Sequence, residues 1–138
     1  MTQEEQQQQM QKYQQIQQQL EQIQQFVDQV EENIEEMDET MEAVNDLEKE
    51  NDGGEILVPI GSGVFVRGQL KDTEKVVSNI GGEAFEEKSL DDAESILERR
   101  KDDFEDTREE LQETISELQG EMQEIQQQMQ EARKGAAE

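Results

Sequence analysis

Cysteine, histidine and tryptophan are absent from the 138 residues, proline and tyrosine occur once each, and there are only four phenylalanines. Without thiols or imidazoles the chain offers no disulfide, no zinc site of the usual donors, no thiol nucleophile and no imidazole acid-base pair. Positive charge is equally scarce: 12 Lys and Arg stand against 37 Asp and Glu, a formal charge of −25. Counterion release at a phosphate backbone needs clustered basic side chains, so nucleic acid is not an expected partner. Only 30% of the residues are hydrophobic, too few for a globular core of ordinary size. No apolar run exceeds the few residues around Ile56 and the start of the chain is polar and acidic, which predicts neither a membrane span nor a signal peptide. The expected location is the cytoplasm.

What the chain does have is periodicity. Tyr13, Ile16, Leu20, Ile23, Val27, Val30, Ile34, Met37, Met41 and Val44 follow one another in alternating steps of three and four, the seam of a coiled coil. This order outweighs the disorder that low hydrophobicity and high charge alone would suggest. The spacing predicts a helix from about Gln3 to about Lys49, a rod of roughly 70 Å at about 1.5 Å per residue, ended by Asn51-Asp52-Gly53-Gly54. A charge this one-sided pushes such helices apart in dilute buffer. At about 1 M salt the screening length falls to roughly 3 Å, so the composition suits concentrated salt.

The middle of the chain reads as β-structure. Glu55 to Ile60 and Val64 to Leu70 flank Gly61-Ser62-Gly63, and Glu74 to Ile80 and Glu83 to Lys88 flank Gly81-Gly82, which predicts two hairpins in series. Ile56, Val58 and Ile60 share one face of the first, with Val64, Val66 and Leu70 on the matching face of its partner strand. Val76, Ile80 and Phe85 supply the apolar side chains of the second. Pro59 has no amide hydrogen to donate, so its nitrogen belongs at an outward position or a bulge. Isolated hairpins are marginal in water, and four strands this poor in apolar residues cannot close a core alone. The expectation is obligate oligomerisation through these nine side chains.

Ser89-Leu90-Asp91-Asp92 has the pattern of an N-cap followed by acids in the first turn. A second seam follows through Ala93, Leu97, Arg100, Phe104, Thr107, Leu111, Ile115, Leu118, Met122, Ile125, Met129 and Ala132, with a stutter at Thr107-Leu111-Ile115 and Gly120 off the seam. Pairing Val44 with Leu97 brings Ile34 near Thr107, Val27 near Ile115, Leu20 near Met122 and Tyr13 near Met129. The expected class is α+β: an antiparallel coiled-coil hairpin carrying two β-hairpins at its bend, which form an oligomeric barrel. Its parts are a first helix over 1–51, an assembly region over 52–88, a second helix over 89–134 and a short tail over 135–138.

No constellation for catalysis accompanies this layout. The acidic clusters Glu31-Glu32, Glu35-Glu36 and Asp102-Asp103 lack calcium-loop spacing and read as solvated helix faces. Gly61-Ser62-Gly63 lacks the further glycine or lysine of a nucleotide-binding loop. No cofactor, metal or catalytic residue is expected. The glutamine runs read as polar helix surface. Both ends of the chain meet at the far tip of the helix pair, together with Met10, Tyr13, Ile16, Met122, Ile125 and Met129, and methionine adapts to varied apolar partners.

Certain strings of the middle segment resemble the alpha subunit of archaeal prefoldin: Leu57-Val58-Pro59-Ile60-Gly61-Ser62-Gly63-Val64-Phe65-Val66, the link Lys71-Asp72-Thr73, the turn Asn79-Ile80-Gly81-Gly82, and Glu87-Lys88-Ser89 with Ala93. Two hairpins instead of one point to the alpha type. The last strand departs from the family pattern in its acidity, with Glu83, Glu86 and Glu87 around Phe85. The resemblance implies a hexamer of two alpha and four beta-type subunits, barrels of hairpins, and coiled coils hanging like tentacles. Their tips hold unfolded polypeptides and pass them to a group II chaperonin without nucleotide. Alternatives are a structural coiled-coil scaffold or adaptor that binds one defined protein, and an acidic decoy of nucleic acid.

Overall fold

The computed structural model describes residues 2–50 and 52–137. Its elements run α1 (Gln3–Glu48), β1 (Glu55–Gly61), β2 (Val64–Gln69), β3 (Lys75–Gly81), β4 (Ala84–Ser89) and α2 (Leu90–Ala137). Two long helices form a hairpin with two β-hairpins between them. Two compact units result, one of Met1–Asn33 with Asp103–Glu138 and one of Ile34–Asp102.

The start of α1 is a capping box. The Thr2 hydroxyl accepts from the Glu5 amide at 3.2 Å, and the Glu5 carboxylate accepts from the Thr2 amide at 3.3 Å. All ten predicted seam residues of α1 are buried or half-buried, and Gln6, Gln9 and Leu47 extend the same stripe at either end. Along α2 two predicted seam positions are wrong. Arg100 and Thr107 are exposed, and their C-terminal neighbours Lys101 and Arg108 are half-buried in their place. With those substitutions the steps from Leu97 to Ala132 alternate between four and three, so the predicted stutter at Thr107 does not exist. A successive pair of four-residue steps sits instead at Ala93-Leu97-Lys101. Long basic side chains can lay their methylenes along a seam while the charge reaches water, and Lys101 Nζ does so 2.6 Å from Asp38 Oδ1. Gly120 lies off the seam and a Cβ there would meet nothing. The helix continues to Ala137, past Lys134. Asn51, part of the predicted helix stop, lies outside the described residues, as do Met1 and Glu138 of the predicted first helix and tail.

In the second unit, four polar anchors gather the ends of the hairpins. The Gly53 amide donates to the Leu70 carbonyl, and the Leu70 amide to the Gly54 carbonyl, at 2.6 and 2.8 Å. Asp52 accepts from both the amide and the hydroxyl of Thr73 at 3.0 Å, Asp72 accepts from the Glu74 amide, and the Leu90 amide donates to the Glu74 carbonyl. Ser89 caps α2, its hydroxyl accepting from the Asp92 amide at 3.1 Å. Leu70 therefore closes the base of the first hairpin beyond the end of β2, and does not join the strand face assigned to it from sequence.

Each hairpin is an isolated antiparallel pair, with Ile56 opposite Gly68, Val58 opposite Val66, and Pro59 opposite Phe65 in the first. The second places Val76 opposite Lys88, Val77 opposite Glu87, and Asn79 opposite Phe85. The register shifts at Ile60 in one and at Ile80 in the other. Ser62 and Gly63 both have positive φ, as a type I′ turn requires, whereas in the second turn only Gly82 of the two central residues does, the type II′ arrangement. The hairpins are a repeat: Ile60-Gly61, Phe65 and Leu70 recur as Ile80-Gly81, Phe85 and Leu90, always 20 positions on.

Candidate functional site

Two surfaces stand out, one in each unit. In the first unit α1 and α2 pair near their outer ends. Ile16 and Ile125 are only 4% and 5% exposed, sealed between the helices. Tyr13 is half-buried, and its hydroxyl accepts a hydrogen bond from Gln126 Nε2 at 2.9 Å. The sequence register, which set Tyr13 beside Met129, is therefore off by about one seam step. Met129 instead lines an open groove of about 330 Å³ with Met10, Gln3, Gln6, Gln7 and Arg133. Met10 lies off the seam and is 46% exposed, while Met122 is half-buried. Of the six predicted tip residues, the helices enclose two, use two more partly in pairing, and leave Met10 and Met129 beside open space.

Sequence reasoning missed Phe26, a fully helical residue off the seam whose ring is largely exposed in the same unit. Its position three residues after Ile23 and one before Val27 was the available signal, because the stripe leaves no room for it on the packed face.

The second surface is the pair of hairpins. In the first, Leu57, Val58, Ile60, Val64, Phe65 and Val66 are all exposed, and in the second Val77, Ile80 and Phe85 are. Ile56 and Val76 are half-buried. Val76, Val77 and Ser78 border a groove of about 210 Å³ whose other walls are Thr40, Val44, Ala93, Ile96, Leu97 and Arg100, so the second hairpin leans toward the helices by that edge. Monomeric proteins rarely leave this much contiguous apolar surface in water.

Neither surface has the make-up of a reaction centre. Three carboxylates, Glu48, Asp91 and Glu94, place one oxygen each within 4.8 Å of one another, a grouping not foreseen from sequence. Two of them are exposed, in a chain where acids outnumber bases three to one they read as solvated surface. No helix among the described residues is long and apolar enough to cross a membrane.

The prefoldin family model, described as prefoldin subunit, matches residues 16–135, from within the first helix to near the end of the second. The chain belongs to the prefoldin family. It is of the alpha type, as the two hairpins led one to expect. It is 43% identical over 61 residues to prefoldin subunit alpha of Thermofilum pendens, a stretch covering 44% of this chain and 47% of that one. It is 32% identical over 64 residues to prefoldin subunit alpha of Halorubrum lacusprofundi, covering 46% and 42%, and 39% identical over 59 residues to human prefoldin subunit 5, covering 43% and 38%. The aligned stretches thus span less than half of these relatives. A chain in the cryo-EM structure of filamentous PFD from Methanocaldococcus jannaschii shares the fold, with a TM-score of 0.72 at 21% identity over 80% of this chain and 91% of that one. Prefoldin subunits are not enzymes, in line with the absence of a catalytic constellation from the sequence.

Proposed function

We propose that the chain is the alpha-type subunit of an ATP-independent chaperone, working in the cytoplasm, that holds unfolded polypeptides and hands them to a group II chaperonin. The supporting observation is that Met10 and Met129 flank an open groove at the ends of paired helices. Such a surface gives weak, adaptable apolar contacts and no deep pocket. Unfolded chains are selected because they alone expose apolar side chains in quantity. One such contact is feeble, and several tentacles acting on one client raise the effective affinity by avidity.

The assembly reading rests on the hairpins. Their exposed apolar side chains, Val58, Ile60, Val64, Val66, Ile80 and Phe85 among them, need cover that one chain does not supply. Copies of this chain and beta-type subunits provide it in a barrel of hairpins, two alpha with four beta. The acidic surface suits this assembly to concentrated salt.

The test is light scattering of an unfolded protein diluted into molar salt with this chain and its beta-type partner. Aggregation is suppressed without nucleotide. Unchanged aggregation, or tight saturable binding to one folded protein with indifference to unfolded ones, would replace this function with that of a structural adaptor.

A further inference from the structure

The groove beside Met10 and Met129 is built from one face of each helix. Gln3, Gln6, Gln7 and Met10 follow one another at the spacing that aligns side chains along a helix, and Met129 and Arg133 stand four apart on the other. Its lining is two thioethers, three amides and one guanidinium, with no carboxylate. In a chain of 37 acids against 12 bases this is a local reversal of charge. The acids crowd elsewhere: ten fall between Glu31 and Glu50, whereas the fifteen residues from Gln6 to Leu20 include none and ten of them are Gln. On α2 the stretch from Ile125 to Gln130 is likewise uncharged. These two stretches meet across the helix pair, where Gln126 donates to the Tyr13 hydroxyl. Arg133 is exposed, and the ion pairs among the described residues, Arg67 with Glu55, Lys88 with Glu86 and Lys101 with Asp38, do not engage it.

We propose that this groove selects acidic unfolded segments, taking an apolar side chain against Met10 and Met129 and a neighbouring carboxylate of the same segment on Arg133. This rests on the reading that the groove holds unfolded polypeptides, and it names the class it prefers. Charge complementarity selects that class. Methionines alone accept any apolar side chain, but a guanidinium donates to a carboxylate in a forked pair and repels a lysine or arginine. The glutamines supply amides that hydrogen-bond a client backbone without adding negative charge. Acids at the density of Glu31 to Glu50 would instead repel such a segment. At about 1 M salt the screening length is about 3 Å. The distant acids of the chain are then silent, and only groups that touch the client discriminate.

The experiment follows fluorescence anisotropy of three labelled peptides of equal leucine content, carrying Glu, Gln or Lys beside each leucine, with the complex of this chain and its beta-type partner in molar salt. The Glu peptide is expected to bind about threefold tighter than the Gln peptide, and the Lys peptide most weakly. Arg133→Gln removes the advantage of the Glu peptide over the Gln peptide. Gln7→Glu weakens the Glu peptide about threefold and does not weaken the Lys peptide. An acid in the opening turns of a helix agrees with its dipole, so this second variant keeps α1 folded, as circular dichroism will register. Met10→Gln weakens all three peptides alike. If no peptide binds, or if Met10→Gln changes none of them, the groove does not hold unfolded chains and that reading fails. If Met10→Gln weakens all three while the parent binds the Glu and Lys peptides equally, or while Arg133→Gln and Gln7→Glu leave their ratio unchanged, the charge preference is wrong and the holding role stands.

Discussion

Met10 and Ile16 lie less than two turns apart on α1, yet they are expected to fail in opposite ways. Replacing Met10 by Gln acts on a side chain already 46% exposed and off the seam, where substitutions shift stability by no more than about 0.5 kcal/mol. Its effect falls on capture. Full burial of a methionine is worth about 1.5–3 kcal/mol, and a client that covers the exposed half recovers about 1 kcal/mol, a factor of about five in affinity for each tentacle engaged. Ile16→Ala acts on a side chain 4% exposed between the helices. Large-to-small changes of this kind cost about 2–5 kcal/mol, and a two-helix seam that can relax toward water belongs at the low end, about 2 kcal/mol. Thermal melting by circular dichroism and suppression of client aggregation by light scattering, both in molar salt, separate the two. Met10→Gln melts with the parent and suppresses poorly, whereas Ile16→Ala melts earlier and retains suppression below its transition. A Met10→Gln protein that suppresses as well as the parent would refute the assignment of the groove to client contact.

Other perturbations probe the scaffold. A double-mutant cycle on Asp38→Ala and Lys101→Ala should give a coupling of about 0.5–1 kcal/mol in thermal melts, small because both side chains are partly in water. Gly63→Ala is expected to destabilise the assembly by about 1–2 kcal/mol per chain, because φ there is +78°. Gly68→Ala, whose Cβ would meet the Ile56 side chain at an ordinary 3.5 Å, should be tolerated, and equal losses from both changes would contradict the turn geometry. Helicity should rise as salt is raised from about 0.1 M to about 1 M, since the screening length shortens from about 10 Å to about 3 Å; a flat response would remove the case for adaptation to brine.

The first helix was legible because its seam is made of aliphatic residues that can do nothing else at that spacing. The second was misread where the seam passes through charge. At Arg100 and Lys101 both neighbours are basic, and hydropathy cannot tell which stem lies along the partner helix; at Thr107 and Arg108 the uncharged residue is exposed and the stem of the charged one is half-buried. The hairpins could be placed to within a residue from their glycines and β-branched runs. Their bulges at Ile60 and Ile80 could not, because a bulge depends on the turn that follows. The tip was legible as a list of apolar residues but not as a surface, since only the helix phase separates Met10, which faces water, from Ile16 and Ile125, which do not. Tyr13 shows the same limit: its place on the seam followed from spacing, and its bond to Gln126 required the register.

The stripe of α1 changes character toward its beginning. Val27 and Val30 give way to Ile16 and Tyr13, and then to Gln9 and Gln6, which hold half-buried seam positions with amide side chains. Separating the helices at the glutamines returns amide groups to water, among them the buried and unpartnered Gln9 Oε1, while separating them at the valines wets hydrocarbon. The strand of contacts is thus graded like a zip whose last teeth are soft. Amide deuteration should advance inward from the outer turns long before it reaches Val27, and in the proposed holding role that soft end is what supplies the compliance needed to wrap chains of any shape.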